Sequence, residues 1–458
     1  MFDASTYVQR RKKLKEQLGS GLVLFMGNEE CPMNYPANPF HFRQDSSFLY
    51  FFGLDFPNLA AVIDIDNDKD IIFGDDLTID DIVWTGPQPT IADRSAKAGV
   101  SETYPFGQLG NTLKSGQKVH FLPQYSHTVM VKMDGLLGIH PNKINENASV
   151  ELIKAVVAQR NIKSAEEIKE MESALDTAYE MHTYAMRMTK PGMMESEISG
   201  AIEGIALSKG LGVSFPVIFT IHGETLHNHY HGNIMKDGDK IINDSGAEST
   251  LHYASDITRT YPVNGKFTPE QREIYEIVLR SQIEAIEAIE PGKKYREVHL
   301  HSAKVIAEGM KDSGFMKGNM DDAVEQGAHA LFFPHGIGHM IGLDVHDMEG
   351  LGENYVGYDD TVERSDQFGL AYLRLAKILE PGNVVTVEPG IYFIPELIDM
   401  WKSENKFADF IDYDKVEQCR NYGGFRVEDN ILVTDSGHRV LGKPIPKTVA
   451  DVESECSK

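Results

Sequence analysis

Three cysteines in 458 residues, Cys31, Cys419 and Cys456, are too few and too scattered for a disulfide framework. Long apolar runs are also missing, for no segment approaches the roughly 20 apolar residues needed to span a bilayer. Positive charge is scarce, with 44 Lys and Arg against 69 Asp and Glu and a formal net charge of −25. Phosphate binding needs clustered Lys or Arg, and nothing stands out beyond Arg10-Arg11-Lys12-Lys13. Nucleic acid and anionic membranes are therefore poor partners. That basic run, followed by Gly21-Leu22-Val23-Leu24-Phe25-Met26, imitates a signal peptide. Its apolar part is only six residues long and meets Gly27-Asn28-Glu29-Glu30, so an amphipathic helix followed by a strand is the better reading. The compartment these absences suggest is the cytosol.

What is present is an ordinary globular composition, 41% apolar and 25% charged, at a length that accommodates two or three domains. The first part of the chain mixes short β-rich runs (Gly21–Met26, Leu59–Ile65, Asp70–Phe73, Lys118–Leu122) with helical stretches, as an α/β domain would. A boundary near Arg160–Lys163 gives domains of 1–158 and 159–458. Beyond it, Ser164 and Glu167 form a capping box that opens a long helix, stopped by Lys190-Pro191-Gly192. A second helix opens at Thr268-Pro269-Glu270-Gln271 and ends at Glu290-Pro291-Gly292. In both cases another amphipathic helix follows (Met194–Lys209, Tyr295–Met310), which suggests an internal duplication.

Five residues in strand-like or glycine-rich contexts have the character of one metal site: Asp244, Asp256, His339, Glu388 and Glu428. An unpaired carboxylate is costly among apolar neighbours such as Val384-Val385-Thr386-Val387, which delivers Glu388, or Phe425-Arg426-Val427, which delivers Glu428. Four carboxylates balance two divalent cations, and each has two oxygens with which to bridge them. Two such ions can share a hydroxide, polarise a carbonyl and steady a leaving group, so the chemistry expected is hydrolysis. Residues i and i+2 of a strand share a face, which makes Thr258 a neighbour of Asp256 and Arg426 a neighbour of Glu428.

The order of these pieces resembles the Xaa-Pro peptidases, the family of prolidase and aminopeptidase P. The resemblance covers nearly the whole chain. It starts at Phe42-Arg43-Gln44-Asp45-Ser46 and Tyr50-Phe51-Phe52-Gly53, and continues through Asp256-Ile257-Thr258-Arg259-Thr260 and His335–His339 with Gly342–Asp347. It closes with Glu388-Pro389-Gly390-Ile391-Tyr392-Phe393 and Gly423–Asp429. It implies an α/β (α+β) protein, with a creatinase-like amino-terminal α/β domain followed by a pita-bread catalytic domain. Asp244 would then chelate one metal, His339 and Glu388 the other, with Asp256 and Glu428 bridging. The ions implied are two divalent metals, Mn2+ first, with Zn2+ or Co2+ as alternatives. One departure is the 12-position spacing of Asp244 and Asp256, one more than the family pattern, placed by an extra residue around Ser249–His252. The resemblance also implies that Glu388 moves the proton, that His346 and His227 line the substrate pocket, and that His335 joins the catalytic group. His227-Asn228-His229-Tyr230-His231 leaves the register open between His227 and His229, with His227 preferred for its distance to Asp244. The partners implied are a small peptide substrate and a second copy of the chain, as a homodimer or a tetramer.

Two features lean towards Xaa-Pro dipeptides as substrate. Arg374 stands where prolidases carry an arginine that clamps the dipeptide carboxylate, a task suited to a bidentate guanidinium. The segment Ile394–Tyr422, with Trp401 and Phe407, resembles the prolidase insertion, which could cap the far end of the site. Against this, the Phe42–Ser46 motif is common to both groups, and Met348–Val362 is long enough to remodel the entrance. Aminopeptidase P activity on longer peptides is the alternative. Non-catalytic pita-bread modules and metal-free relatives lack the ligand set that is complete here, and phosphotriester hydrolysis is a further chemical outlet of such a site.

Overall fold

Five short apolar segments of the amino-terminal part pair into one sheet: β1 (Leu22–Met26), β2 (Ala60–Asp64), β3 (Lys69–Phe73), β4 (Glu102–Tyr104) and β5 (Val119–Phe121). Their order is β4-β3-β2-β1-β5, with β1, β2 and β3 antiparallel and the two edge strands parallel to their neighbours. Successive side chains of β1 point to opposite faces. Leu22, Leu24 and Met26 pack with Val62, Phe73, Val129 and Met133, while Phe25 meets Phe51 and Phe52 at ring distances of 4.9 and 5.9 Å. The computed structural model describes residues 1–458 and divides into two compact units. One is Met1–Arg160 with Met348–Tyr355; the other is Asn161–Asp347 with Val356–Lys458.

The second unit opens as its sequence suggests. Helix Ala165–Met188 begins at a capping box in which the Ser164 hydroxyl accepts from the Glu167 amide and the Glu167 carboxylate from the Ser164 amide. Helix Glu195–Lys209 follows, then an antiparallel sheet of β6 (Ile218–Thr220), β7 (Lys240–Ser245) and β8 (Ile257–Pro262). The pattern then recurs with helices Pro269–Glu287, capped by Thr268 with Pro269 in its first turn, and Tyr295–Asp312. Later come β9 (Val384–Val387), β10 (Gly390–Phe393), β11 (Gly423–Arg426), β12 (Asp429–Thr434) and β13 (Gly437–Val440).

The recurrence extends to individual bonds. Gly192 and Gly292, both at φ near +90° after a proline, donate to the carbonyls of Met235 and Leu379. Glu195 and Tyr295 donate to Asn233 and Lys377. Gly238 and Gly382 each turn at φ +90, and Asp244 and Glu388 each lie six residues further on. Only glycine enters that backbone region without strain, so these turns are set by sequence. The duplicated helix pairs thus deliver Asp244 and Glu388 from matching stations.

Strand alternation aims the polar groups. Asn243 and Ser245 of β7 face helix Ala165–Met188, where both bond His182, which leaves Ile242 and Asp244 on the opposite face. The expected strand Phe425–Val433 is broken in two. β11 pairs with β10, β12 pairs with β9, and Glu428 occupies the break between them. A chain that changes pairing partner cannot stay one straight strand, and the interruption frees Glu428 from the ladder. The extra residue near Ser249–His252 is taken up in a tight turn, where Ser249 and Tyr253 bond each other and His252 adopts φ +67. The pairing of Asp244 with Thr258 is intact.

Arg259 locks the two halves together. Its buried guanidinium donates to the carbonyls of Thr258 (2.9 Å), Glu428 (2.6 Å) and Ile445 (3.2 Å) and to Asp429 Oδ1 (2.7 Å). Burial alone would raise the Asp429 carboxyl, but Arg259 and Lys447 outweigh it and hold it at about 2. Removing one partner of such a pair strands a buried charge at a cost of about 3–5 kcal/mol. Arg259→Met is therefore expected to lower the thermal midpoint by roughly 5–15 °C, read by scanning calorimetry.

Candidate metal centre

Three donors converge closely: those of Asp256, just ahead of β8, His339, in the loop before β9, and Glu428 lie within 4.8 Å of one another, all buried. His339 Nε2 is 3.3 Å from Asp256 Oδ2 and 3.6 Å from Glu388 Oε1. Its Nδ1 donates to the Met340 carbonyl at 3.0 Å, which turns the Nε2 lone pair towards the carboxylates. Glu388 is placed by the end of β9 and by its amide, which donates to the Ile337 carbonyl at 2.8 Å. Asp244 lies outside the tightest trio, with Oδ2 bound to Arg426.

The supporting bonds cross between strands. Thr258 was expected beside Asp256, but its hydroxyl donates to Glu428 Oε2 at 2.7 Å. Arg426 was expected beside Glu428, but its Nη2 donates to Asp244 Oδ2 at 2.7 Å and its Nε to Thr258 Oγ1 at 3.2 Å. Side chains at i and i+2 run parallel from one strand, too far apart for a short hydroxyl to reach, whereas a facing strand brings the partner to it. Arg426 Nη1 also donates to the Tyr392 hydroxyl at 2.7 Å, and that hydroxyl lies 2.9 Å from His335 Nε2. Thr386 accepts the His339 amide at 3.1 Å. Tyr392 and Thr386 carry no local signal of these roles. They follow from β10–β11 pairing and from the approach of the His339 loop to β9.

Electrostatics shows what the site requires. Burial, then Asp244, pushes Asp256 up to about 8. Burial raises Glu388 to about 7, with Asp256 and Asp244 adding to it against His339 and Arg426. Burial, Asp256 and Glu388 lift Glu428 well above the carboxylate range. Asp244 Oδ1, Asp256 Oδ1 and Glu428 Oε1 are buried with no hydrogen-bond partner. Buried carboxylate oxygens in that condition are costly, and divalent cations would satisfy both the lone pairs and the charge. The donor set fits two such ions, and the arrangement can therefore support metal-assisted hydrolysis.

The remaining candidates surround this core. His346 packs against His339, ring centroids 4.1 Å apart at 61°. His227 is solvent-exposed yet within electrostatic reach of Arg426, Asp244, Arg374 and His346, whereas His229 turns back towards the Val217 carbonyl. Both nitrogens of His335 are engaged, by Gly336 O and Tyr392, and burial depresses it to about 3, so it acts as a neutral support for Tyr392. Arg374 follows a short 3-10 turn and interacts electrostatically with His227 and His335. The segment Ile394–Tyr422 buries Trp401 against Phe407 and Phe368, and Phe368 packs edge-on against Tyr372, two residues before Arg374.

The model of the family described as Metallopeptidase family M24 matches residues 169–435, and that of the Aminopeptidase P N-terminal domain matches residues 7–120. The human Xaa-Pro dipeptidase is 32% identical over 460 residues, covering 97% of this chain and 90% of that protein. A probable Xaa-Pro aminopeptidase of Aspergillus niger is 31% identical over 428 residues, covering 90% and 88%. Among solved structures, the aminopeptidase PepP of Pseudomonas aeruginosa has a TM-score of 0.82 at 27% identity, covering 100% of this chain and 98% of its own. Zinc-substituted Escherichia coli aminopeptidase P with product has a TM-score of 0.81 at 28% identity, covering 99% and 98%.

A stability consequence follows from the crowded carboxylates. The pKa values of Asp256, Glu388 and Glu428 are raised in the folded chain, so the folded state holds protons that the unfolded chain has released. With a chelator present, stability is fully present below the ordinary carboxylate range and is lost as pH rises through about 7–8. Melting curves from about pH 5 to about pH 8 should show this fall, and added Mn2+ should reverse it most at the alkaline end. A melting temperature that rises with pH under chelation would contradict the placement of these acids.

Proposed function

The chain belongs to metallopeptidase family M24, as an Xaa-Pro peptidase of pita-bread fold behind an aminopeptidase-P-type amino-terminal domain, and from that premise we propose that it preferentially hydrolyses Xaa-Pro dipeptides. Asp244, Asp256, His339, Glu388 and Glu428 would hold two divalent ions, which when bound acidify water and polarise the carbonyl before proline. The oxygen-rich donor set favours Mn2+, with Zn2+ or Co2+ as alternatives. Glu388 accepts a proton on its carboxylate and returns it to the imide nitrogen as the bond breaks. Arg426 holds Asp244 directly and Glu428 through Thr258, while Tyr392 and His335 keep the guanidinium in place. His346, packed on His339, and His227, within electrostatic reach of Asp244, orient the substrate. Proline offers no amide N–H, so recognition rests on the ring and the peptide termini.

The observation that carries the dipeptide preference is Arg374, a cation within reach of His227 and His335. The insertion supports it from behind through Trp401, Phe368 and Tyr372. A free carboxylate one residue beyond the scissile bond is the natural counter-ion for a guanidinium there. Aminopeptidase P activity is the second reading, favoured by the close match to the two bacterial structures. Assembly as a homodimer, with a tetramer as alternative, is part of the proposal. It is supported by helix Ile79–Thr85, which buries none of its residues and leaves Ile79, Val83 and Trp84 exposed. No helix is long and apolar enough to cross a membrane, and a cytosolic location is proposed with the substrate a small peptide.

Steady-state rates on Ala-Pro and Ala-Pro-Ala test the preference. The dipeptide should be cleaved faster, and Arg374→Ala should reduce kcat/KM on it by a factor of about 30–1000, or roughly 2–4 kcal/mol. The tripeptide should be affected far less. Faster cleavage of the tripeptide by the unaltered protein would replace this reading with the aminopeptidase one.

A further inference from the structure

His339 and His346 bracket a single loop, and one oxygen is shared where it closes. The Met340 carbonyl accepts the ring N–H of His339 at 3.0 Å and the amide of Asp347 at 2.9 Å. Within the loop the Gly342 amide donates to Asp344 O at 3.1 Å, and Gly342 O accepts the amide of Ala254 at 2.8 Å, two residues before Asp256. The Asp347 carboxylate turns inward and meets Lys163 Nζ at 2.9 Å, with both side chains only 1% exposed. A Cβ on Gly342 would lie 2.6 Å from Asp347 Oδ2 and 2.9 Å from Lys163 Cε, so the loop backbone is shaped around the pair. Lys163 is anchored in turn, since its amide donates to the Gly382 carbonyl at 2.9 Å and Asn383 Nδ2 donates to Asn161 O at 3.0 Å.

A buried ion pair contributes little net stability compared with apolar residues of the same volume. Its distinctive property is direction, because any displacement of the loop would pull a desolvated carboxylate away from the ammonium it meets at 2.9 Å. We propose that Lys163 and Asp347 are positioning residues that set the Met340 carbonyl, and through it the orientation of His339 and the seat of His346. Neither residue is itself one of the proposed ligands. They act through the loop that carries both imidazoles, so their loss would loosen metal binding without removing a donor. The proposal rests on the reading of His339 as a ligand.

Lys163→Met, Asp347→Asn, the apolar pair Lys163→Met with Asp347→Leu, and His339→Ala test it. Mn2+ affinity is measured by chelator competition, hydrogen exchange of residues 340–347 in chelator-treated protein, and melting temperature on each. Lys163→Met and Asp347→Asn should each bind Mn2+ roughly 10–100-fold more weakly and lose amide protection across the loop. The apolar pair should regain the melting temperature of the unaltered protein but neither the affinity nor the protection. Wild-type Mn2+ affinity and loop protection in the apolar pair, or in either folded single variant, would overturn the proposal and leave the ion pair a packing feature. Unchanged Mn2+ affinity in His339→Ala would instead overturn the ligand assignment, which keeps the two failures distinct.

Discussion

Four carboxylates gathered at one buried point repel one another, and the second unit is organised around making that arrangement tolerable. Each acid arrives from a different strand or loop, so no single element has to bear all of the charge. Arg426 is the common counterweight. It contacts Asp244, reaches Glu428 through Thr258, and is itself fixed by Tyr392 and His335. The Coulomb repulsion that remains is what a pair of divalent cations would neutralise, so the energetic deficit of the fold and the chemistry of the site have the same origin.

The duplicated architecture explains how such a centre is assembled from ordinary parts. Each helix pair is joined by a Pro-Gly turn, and each half sends an acidic residue to the seam at the same distance from a left-handed glycine. Arg259 and Asp429 then fasten the seam just behind the acids. A site built between two halves inherits its rigidity from their mutual packing, not from either half alone.

Much of this was legible in the chain. The capping box at Ser164–Glu167, the Thr268-Pro269 start and the Pro-Gly stops are local signals whose physics is complete within a few residues. The acids stood out because apolar strand contexts make a carboxylate expensive. What the chain did not disclose depends on pairing between distant strands. Thr258 serving Glu428, Arg426 serving Asp244, and Tyr392 joining Arg426 to His335 are products of register. The break at Glu428 was likewise hidden, because Phe425–Val433 is uniformly strand-like and only the switch of partners divides it.

The shared carbonyl of Met340 has an evolutionary corollary. One acceptor serving two donors couples the imidazole of His339 to the loop bearing His346, so drift that reshapes the loop also shifts the oxygen that orients the imidazole. On the proposed reading, in which His339 holds a metal and His346 seats the substrate, the two tasks are inherited as one trait there. Divergence in preference has to be sought where backbone length is unconstrained by that oxygen, as in the stretch leading to Arg374.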